Sequence, residues 1–140
     1  MIQADYPDSE QIEKIDIVVV DDDQLLLEMV SWILRKKQVH HRLFTDPGDA
    51  MACLCEVMPE ILVVDYYMPI QNGVDFLSQL KRTIGQTSSS LYLCSSILPE
   101  QKNIDQIEAL GAQILDKSVL CNPTALIKLL DSKQHVKSYK

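Results

Sequence analysis

The segment ILVVD at residues 61–65 joins four branched apolar residues directly to a carboxylate. A short apolar run of this kind, bounded by turn residues, is typical of a strand buried on both faces of a parallel sheet. A second run, IDIVVV at residues 15–20, ends in the same way, at Asp21, Asp22 and Asp23. Ligands of open α/β sheets bind at the carboxyl ends of the strands. The sequence therefore predicts that carboxylates from two strands meet at one sheet edge.

In the rest of the chain, segments with the apolar periodicity of strands alternate with segments with the apolar periodicity of helices. Short loops between such elements imply an α/β fold with a right-handed, doubly wound, five-stranded parallel sheet of flavodoxin-like order 2-1-3-4-5 and helices on both faces. We expect a flexible leader at 1–14, one domain at 15–131 and a basic tail at 132–140. The other predicted strands are 41–44, 91–94 and 113–116, and the five predicted helices end near Lys37, Pro59, Ile84, Leu110 and Leu130, with Leu25 and Met29 on the inner face of the first.

Composition restricts the classes of function. The chain has 140 residues and a net charge of -7, which fits one globular domain and argues against direct binding of nucleic acid. It has no apolar run of the roughly 18 residues that a membrane span needs and no secretion signal, so we expect a cytoplasmic protein. Its four cysteines show neither a disulfide framework nor paired metal spacing, which favours reduced thiols.

The predicted strand order makes the first and third strands neighbours and brings Asp21, Asp22 and Asp65 into one crevice. Ser95 and Lys117 end the flanking strands. Clustered carboxylates repel one another unless a cation or proton relieves the repulsion, and a set of oxygen ligands favours Mg²⁺. With that ion, a carboxylate can attack a phosphoryl group, whose spreading negative charge the ammonium and hydroxyl groups would help to neutralise.

These residues closely resemble the receiver domain of two-component response regulators. The resemblance covers about residues 14–131 and depends on VVVDDD at 18–23, LVVDYYMPIQNG at 62–73, a hydroxyl residue that ends strand four and a lysine that ends strand five. It implies that the cofactor is Mg²⁺ or Mn²⁺. It further implies these roles: Asp65 accepts the phosphoryl group, Asp22, Asp65 and the Tyr67 carbonyl bind the metal directly, Asp21 binds it through water, Ser95 is the switch hydroxyl, and Lys117 pairs with phosphate.

Four positions bear on how this receiver differs from others of the family. Ser118 follows the lysine where receivers usually carry a cis proline, so we expect a trans bond because a non-proline cis bond costs about 3 to 4 kcal/mol. Ile114 replaces an aromatic residue that turns inward in many receivers, which leaves movement of the fourth helix as the route for signalling. Tyr67 and Ile97 line the expected path of attacking water, and their bulk predicts slow hydrolysis of the phosphoryl-aspartate.

The resemblance implies a receiver, and because only ten residues follow Leu130 we expect it to be a stand-alone one. Its expected partners are a histidine kinase or histidine phosphotransfer protein and an unknown downstream protein, and its expected catalysis is limited to its own phosphorylation and slow dephosphorylation. One alternative is a degenerate receiver that binds partners without phosphate. A less favoured alternative is an aspartate-nucleophile phosphohydrolase that uses Asp21 and Asp23, although Leu25 stands where those enzymes have Thr or Val, and the chain lacks a cap domain.

Overall fold

The structure is a computed structural model that describes residues 14–138, with side-chain surroundings up to residue 132. Five parallel strands form one sheet in the order β2-β1-β3-β4-β5. The strands are β1 (Ile17–Val20), β2 (His41–Phe44), β3 (Ile61–Asp65), β4 (Ser90–Ser95) and β5 (Ala112–Asp116). The helices are α1 (Gln24–Lys36), α2 (Pro47–Leu54), α3 (Gly73–Ile84), α4 (Gln101–Ala109), α5 (Ser118–Cys121) and α6 (Pro123–Ser138).

The predicted fold class and strand order are confirmed, while several boundaries differ. The short helix α5 was not predicted, and α2 ends at Leu54 rather than at Pro59. Helix α6 extends to Ser138, past the predicted end at Leu130 and through most of the expected basic tail. Residues 1–13 of the predicted leader and the last two residues lie outside the described part of the chain.

The sheet separates two apolar layers because alternate strand residues point to opposite faces. One layer packs α2, α3 and α4 against β1, β3 and β4, and includes Val64, Leu93 and Phe76. The other packs α1, α5 and α6 against the opposite face, and includes Val63 and Leu126. Both faces of the central strands are therefore covered, which accounts for their continuous apolar sequence.

Helix α1 differs from its prediction on the solvent side. Leu26, Val30 and Leu34 are buried as expected, but Leu25 and Met29, which were also placed inward, are 74% and 50% exposed. The apolar stripe in the sequence of α1 is therefore wider than the stripe that the helix buries, and the prediction of Leu25 and Met29 as inward residues is wrong. Among the described residues, no helix is both long enough and apolar enough to span a bilayer.

Strand register and helix caps bring the two acidic loops together. Val20 pairs with Val64, so the next residues, Asp21 and Asp65, lie side by side at the carboxyl edge of the sheet. The side chain of Asp23 accepts a hydrogen bond from the Leu26 N–H at 3.1 Å and begins α1 directly after the acidic residues. This N-cap holds the loop after β1 close to the sheet edge.

Candidate functional site

Three carboxylates form a cluster where β1 and β3 end. Asp21 is fully buried and Asp65 is 3% exposed, whereas Asp22 points to solvent. One oxygen from each carboxylate can be chosen so that all three lie within 4.8 Å of one another. The predicted convergence of Asp21, Asp22 and Asp65 in one pocket is thus present in the fold.

Lys117 completes the pocket from the end of β5. Its Nζ lies 3.2 Å from Asp21 Oδ2 and 3.4 Å from Asp65 Oδ1, while its backbone N–H donates to the Ser95 carbonyl at 3.0 Å. Burial disfavours the charged ammonium, but attraction to the two carboxylates outweighs that penalty and raises the pKa of Lys117. The lysine therefore remains a cation and is the principal positive charge facing Asp65 in the described part of the chain.

Burial dominates the electrostatics of the two enclosed carboxyl groups. It raises the pKa of Asp21, although a backbone N–H from Asp23 and the charge of Lys117 partly oppose the shift. Burial and the neighbouring Asp21 raise the pKa of Asp65 to about 6, again against the pull of Lys117. One lysine therefore only partly compensates the two buried carboxylates, and the pocket retains affinity for additional positive charge.

The raised pKa of Asp65 predicts that the metal-free protein loses stability as the pH rises. The pKa of this carboxyl group is 3.8 in the unfolded chain and about 6 in the folded protein. Its contribution to stability is therefore fully present below pH 3.8 and is lost as the pH rises through about 6. At 1.36 kcal/mol per pH unit this difference corresponds to about 3 kcal/mol. We expect Asp65→Asn to raise the free energy of unfolding at neutral pH by about 2–3 kcal/mol, measured with urea, and to change it little at pH 4.

Mg²⁺ at a concentration just sufficient for the wild type provides the control for this measurement, because the ion should stabilise the wild type much more than the Asn variant, which lacks one direct ligand. If Asp65→Asn raised the free energy of unfolding equally at pH 4 and at neutral pH, the electrostatic explanation would be contradicted.

The oxygens of Asp21 indicate how a metal ion fits the pocket. Asp21 Oδ1 accepts the Asp23 N–H at 2.9 Å, but the buried Oδ2 has no hydrogen bond, although the Lys117 ammonium lies nearby. The ion pair is therefore close in distance without being aligned as a hydrogen bond. A buried oxygen in this condition can still receive a water or a cation, and an all-oxygen donor set suits Mg²⁺ or Mn²⁺. The residues present thus fit a divalent ion.

The hydroxyl of Ser95 faces its own loop. Ser95 is 6% exposed; its Oγ donates to the Ile97 carbonyl at 2.6 Å and accepts the Ile97 N–H at 3.2 Å. The structure places Ser95 beside the pocket at the end of β4, as predicted, but its proton is bonded to Ile97 rather than aimed at the carboxylates. The hydroxyl must rotate before it can bind a phosphoryl oxygen.

The residues that distinguish this chain lie in strand β5 or shortly after strands β3, β4 and β5. Tyr67 and Ile97 are 60% and 68% exposed, on the loops that follow β3 and β4. Ile114 is half-buried in β5 and packs against the first apolar layer. The Lys117–Ser118 peptide is trans, as are all peptide bonds in the described chain, and α5 begins immediately at Ser118.

Gly73 shapes the site, and the sequence analysis did not assign it that role. A Cβ at this position would lie 2.5 Å from Leu93 Cδ2 and 2.6 Å from the Asp65 carbonyl oxygen. Its N–H donates to the Tyr66 carbonyl at 3.0 Å, which closes the loop after the central carboxylate. The sequence signal was Asn72-Gly73, which was interpreted only as the beginning of a helix.

We expect Gly73→Ala to lower the free energy of unfolding by about 2–3 kcal/mol, because backbone atoms near its added methyl group cannot move away cheaply. Urea unfolding would measure the loss. Gly48→Ala in α2 is the matched control: its Cβ would meet only the Asp46 carboxylate at 3.1 Å, and its effect should be close to neutral. Equal losses in the two variants would contradict the close contact as the cause.

Comparison with known proteins identifies the family. The sequence matches the family described as "Response regulator receiver domain" over residues 17–131. The chain therefore belongs to the response regulator receiver domain family.

Curated relatives are considerably longer than this chain. A protein-glutamate methylesterase/protein-glutamine glutaminase 1 from Pseudomonas savastanoi pv. phaseolicola is 30% identical over 86% of this chain and 33% of its own length. The putative two-component response regulator ARR21 of Arabidopsis thaliana is 29% identical over 89% of this chain and 20% of its own length. The chain thus spans a third or less of these two proteins.

Solved structures support the fold. The chemotaxis protein CheY4 of Vibrio cholerae has a TM-score of 0.73 at 21% identity, over 86% of this chain and 98% of that one. A CheY-like receiver domain protein from Methanospirillum hungatei has a TM-score of 0.72 at 19% identity, over 88% and 98% of the two chains. At these identities the similarity demonstrates the shared fold alone.

Proposed function

We propose that this receiver accepts a phosphoryl group on Asp65 from a phosphohistidine of a kinase or phosphotransfer protein, and that it then signals by binding another protein. The observation that carries this proposal is the position of Lys117, whose ammonium lies within 3.4 Å of Asp65 and 3.2 Å of Asp21. A carboxylate that is nearly buried, facing a fixed cation and beside an oxygen-rich metal pocket, has the surroundings that phosphoryl transfer needs.

The proposed transfer is a displacement at phosphorus. A carboxylate oxygen of Asp65 forms the new P–O bond as the P–N bond to the donor imidazole breaks. The donor ring carries a proton on its other nitrogen, so it leaves as neutral imidazole. Lys117 pairs with an oxygen of the transferred group, and the Ser95 hydroxyl rotates from Ile97 to donate to another. Phosphorylation replaces the negative charge of the carboxylate with the larger negative charge of the phosphoryl group. The phosphorylated pocket therefore needs more positive charge than the free one.

Asp22 and Asp65 would hold Mg²⁺ or Mn²⁺ directly with the backbone carbonyl of Tyr67, and Asp21 would hold it through water. The ion supplies charge neutralisation for the phosphoryl oxygens when bound. Asp21 Oδ2 has an ion pair with Lys117 but no hydrogen bond, and this oxygen together with the partial compensation by Lys117 supports the assignment.

The competing functions are less well supported. In the phosphohydrolase alternative Asp23 would serve as the acid, yet its carboxylate accepts the Leu26 N–H and caps α1. A degenerate receiver would not require Lys117 to approach both buried carboxylates. We therefore infer a cytoplasmic signalling module without a separate catalytic activity, consistent with the acidic charge of -7 and with no direct binding of nucleic acid.

Acetyl phosphate provides a direct test because it needs no cognate kinase. The purified protein would be incubated with acetyl phosphate and Mg²⁺, reduced with borohydride and mapped by mass spectrometry. We expect one modified residue, at Asp65, and only when the ion is present. Modification elsewhere, or none under conditions that modify another receiver, would refute the proposal.

The bulk of Tyr67 and Ile97, on the loops that follow β3 and β4, predicts a slowly hydrolysing phosphoryl-aspartate. Removing the bulk of Tyr67 and Ile97 together should give water an easier in-line approach. We expect the double alanine variant to lose phosphate about tenfold faster, which corresponds to about 1.4 kcal/mol of barrier. Ile70→Ala is the control, since Ile70 is 83% exposed and follows Asp65 by five residues along the chain, whereas Tyr67 follows it by two.

Release of phosphate from labelled protein with Mg²⁺ would give the half-lives. A half-life of seconds in the wild type would contradict the prediction.

A further inference from the structure

An exposed apolar stripe runs along helix α1. Its members Leu25, Met29 and Trp32 follow one another at helical spacing and are 74%, 50% and 62% exposed. All three line one groove of about 510 Å³, whose other wall includes Cys121 and Pro123 where α5 meets α6. A contiguous exposed apolar surface of this kind marks an interaction site.

The charged side chains on this face of α1 are ordered by sign along the helix. Glu28 lines the groove in the first half of α1 and is exposed. Arg35 and Lys36 lie in the last turn and are also exposed, and the Lys36 Nζ lies 4.5 Å from the centre of the Trp32 ring. Because they follow Glu28 by about two helical turns, both basic residues share its side of the helix. The face is therefore acidic near its beginning, apolar in its middle and basic at its end.

A face with this order of charges is complementary to itself. When two copies of a chain meet about a twofold axis, each presents the same patch to the other, and a helix that crosses the axis can meet its counterpart in antiparallel orientation. An axis between Met29 and Trp32 brings the apolar middles of the two helices into contact. Glu28 of each copy then faces Arg35 and Lys36 of the other.

The charge of the whole chain also favours a second copy as the occupant of this face. Two chains of net charge -7 repel each other, so they associate only through a surface that supplies its own positive charge. Helix α1 supplies it at Arg35 and Lys36, and supplies the matching acid at Glu28. A partner with a single sign of charge would leave one end of the face unmatched.

We propose that the exposed face of α1 is a self-association surface, through which two copies of this chain form a reversible antiparallel dimer. One face of a helix of 13 residues gives an interface at the small end of the range, so we expect a dissociation constant on the order of 10–100 μM. The inference goes beyond the proposed function and does not depend on phosphoryl transfer to Asp65.

Analytical ultracentrifugation of the purified protein tests the dimer. Between about 1 μM and about 1 mM, we expect the average mass to rise from that of one chain towards that of two. Asp65→Asn should associate as the wild type does, whereas labelling of Asp65 by acetyl phosphate tests the proposed function separately. A wild type that keeps the mass of one chain at all concentrations would overturn the dimer and leave the proposed function intact.

Charge reversal locates the contact on α1. Glu28→Lys makes the face basic at both ends, and the double variant Arg35→Glu, Lys36→Glu makes it acidic at both ends. Each variant alone should associate at least about tenfold more weakly than the wild type, because like charges then meet. An equal mixture of the two should recover a dimer with one copy of each, since opposite charges meet again at both ends. Recovery in the mixture also shows that both variants fold.

Matched apolar variants complete the test. Met29→Ser, Trp32→Ser removes the apolar middle of the face and should also weaken association at least about tenfold. Ile70→Ser, Leu98→Ser is the control, because it removes side chains that are 83% and 74% exposed on the loops after β3 and β4, and it should associate as the wild type does. Unchanged association of the α1 variants, no recovery in the mixture, or loss of association in the loop variant alone would overturn the proposal.

Discussion

Asp65→Asn is expected to abolish phosphoryl uptake from acetyl phosphate or a phosphorylated donor, with a rate at least about 100-fold below that of the wild type, because the amide cannot act as the carboxylate nucleophile. The expected loss is in chemistry rather than in folding. Lys117 retains its contact with Asp21 at 3.2 Å, and the variant no longer carries the buried charge that burial, and then repulsion from Asp21, disfavour by raising the pKa of Asp65. The variant should therefore be inactive and also more stable.

The control for this result is Asp23→Asn. It removes a carboxylate from the same acidic run, but asparagine can still accept the Leu26 N–H and cap α1. Phosphoryl uptake by this variant should stay within about twofold of the wild type, since the side chain of residue 23 is bonded to the Leu26 N–H as the cap of α1. Uptake by Asp65→Asn that matched Asp23→Asn would show that another side chain accepts the group.

Stability separates the mechanism from the alternative of a damaged fold. A misfolded Asp65→Asn protein would unfold at lower urea concentration than the wild type. A protein that lost only its nucleophile would unfold at higher concentration near neutral pH. The two measurements together distinguish loss of a reacting atom from loss of structure.

The sequence predicted the fold and the convergence of the pocket because both depend on short-range patterns. Buried strands that end in carboxylates, such as the one at 61–65, specify a parallel sheet with its functional edge. Strand register then places Asp21 beside Asp65 without further information, since Val20 pairs with Val64. The position of Lys117 follows from β5, which ends one residue earlier.

The features that the sequence did not predict depend on tertiary packing. The apolar pattern of α1 could not distinguish Leu26, which packs against the sheet, from Leu25, which faces solvent, because both fit the helical period. The direction of the Ser95 hydroxyl depends on the turn at Ile97, which the local sequence did not reveal. The close approach of backbone and side chain at Gly73 likewise exists only in the assembled loop.

The hydrogen bond between Ser95 and Ile97 affects the predicted role of Ser95 as the switch hydroxyl. The predicted role of Ser95 is to donate to a phosphoryl oxygen, and in the structure its hydroxyl donates to the Ile97 carbonyl at 2.6 Å. Binding of a phosphoryl oxygen must therefore compete with an existing hydrogen bond. The net contribution of such a bond is about 1 kcal/mol, which is small enough for a charged phosphoryl acceptor to overcome. The serine can accordingly alternate between its loop and the phosphoryl group.

Asp22→Asn is expected to weaken Mg²⁺ binding by about 100-fold, or about 2.7 kcal/mol, because it removes an exposed carboxylate that would bind the ion directly. Asp21 and Asp65 are buried beside Lys117, so their charges are partly compensated before the ion arrives. Asp22 lies on the solvent side of the cluster, whereas Lys117 forms its ion pairs with Asp21 and Asp65. Its charge is therefore the one most available to a cation.

Urea unfolding at increasing Mg²⁺ concentration would measure the affinity, since an ion that binds only the folded state adds about 2.7 kcal/mol at 100 times its dissociation constant. The wild type and Asp23→Asn should be stabilised to the same extent at the same concentration, and Asp22→Asn should need far more of the ion. Removal of the ion with a chelator should return all three proteins to similar stability, because the Asp22 side chain is exposed. Undiminished stabilisation of Asp22→Asn would show that the ion binds elsewhere and would exclude Asp22 as a ligand.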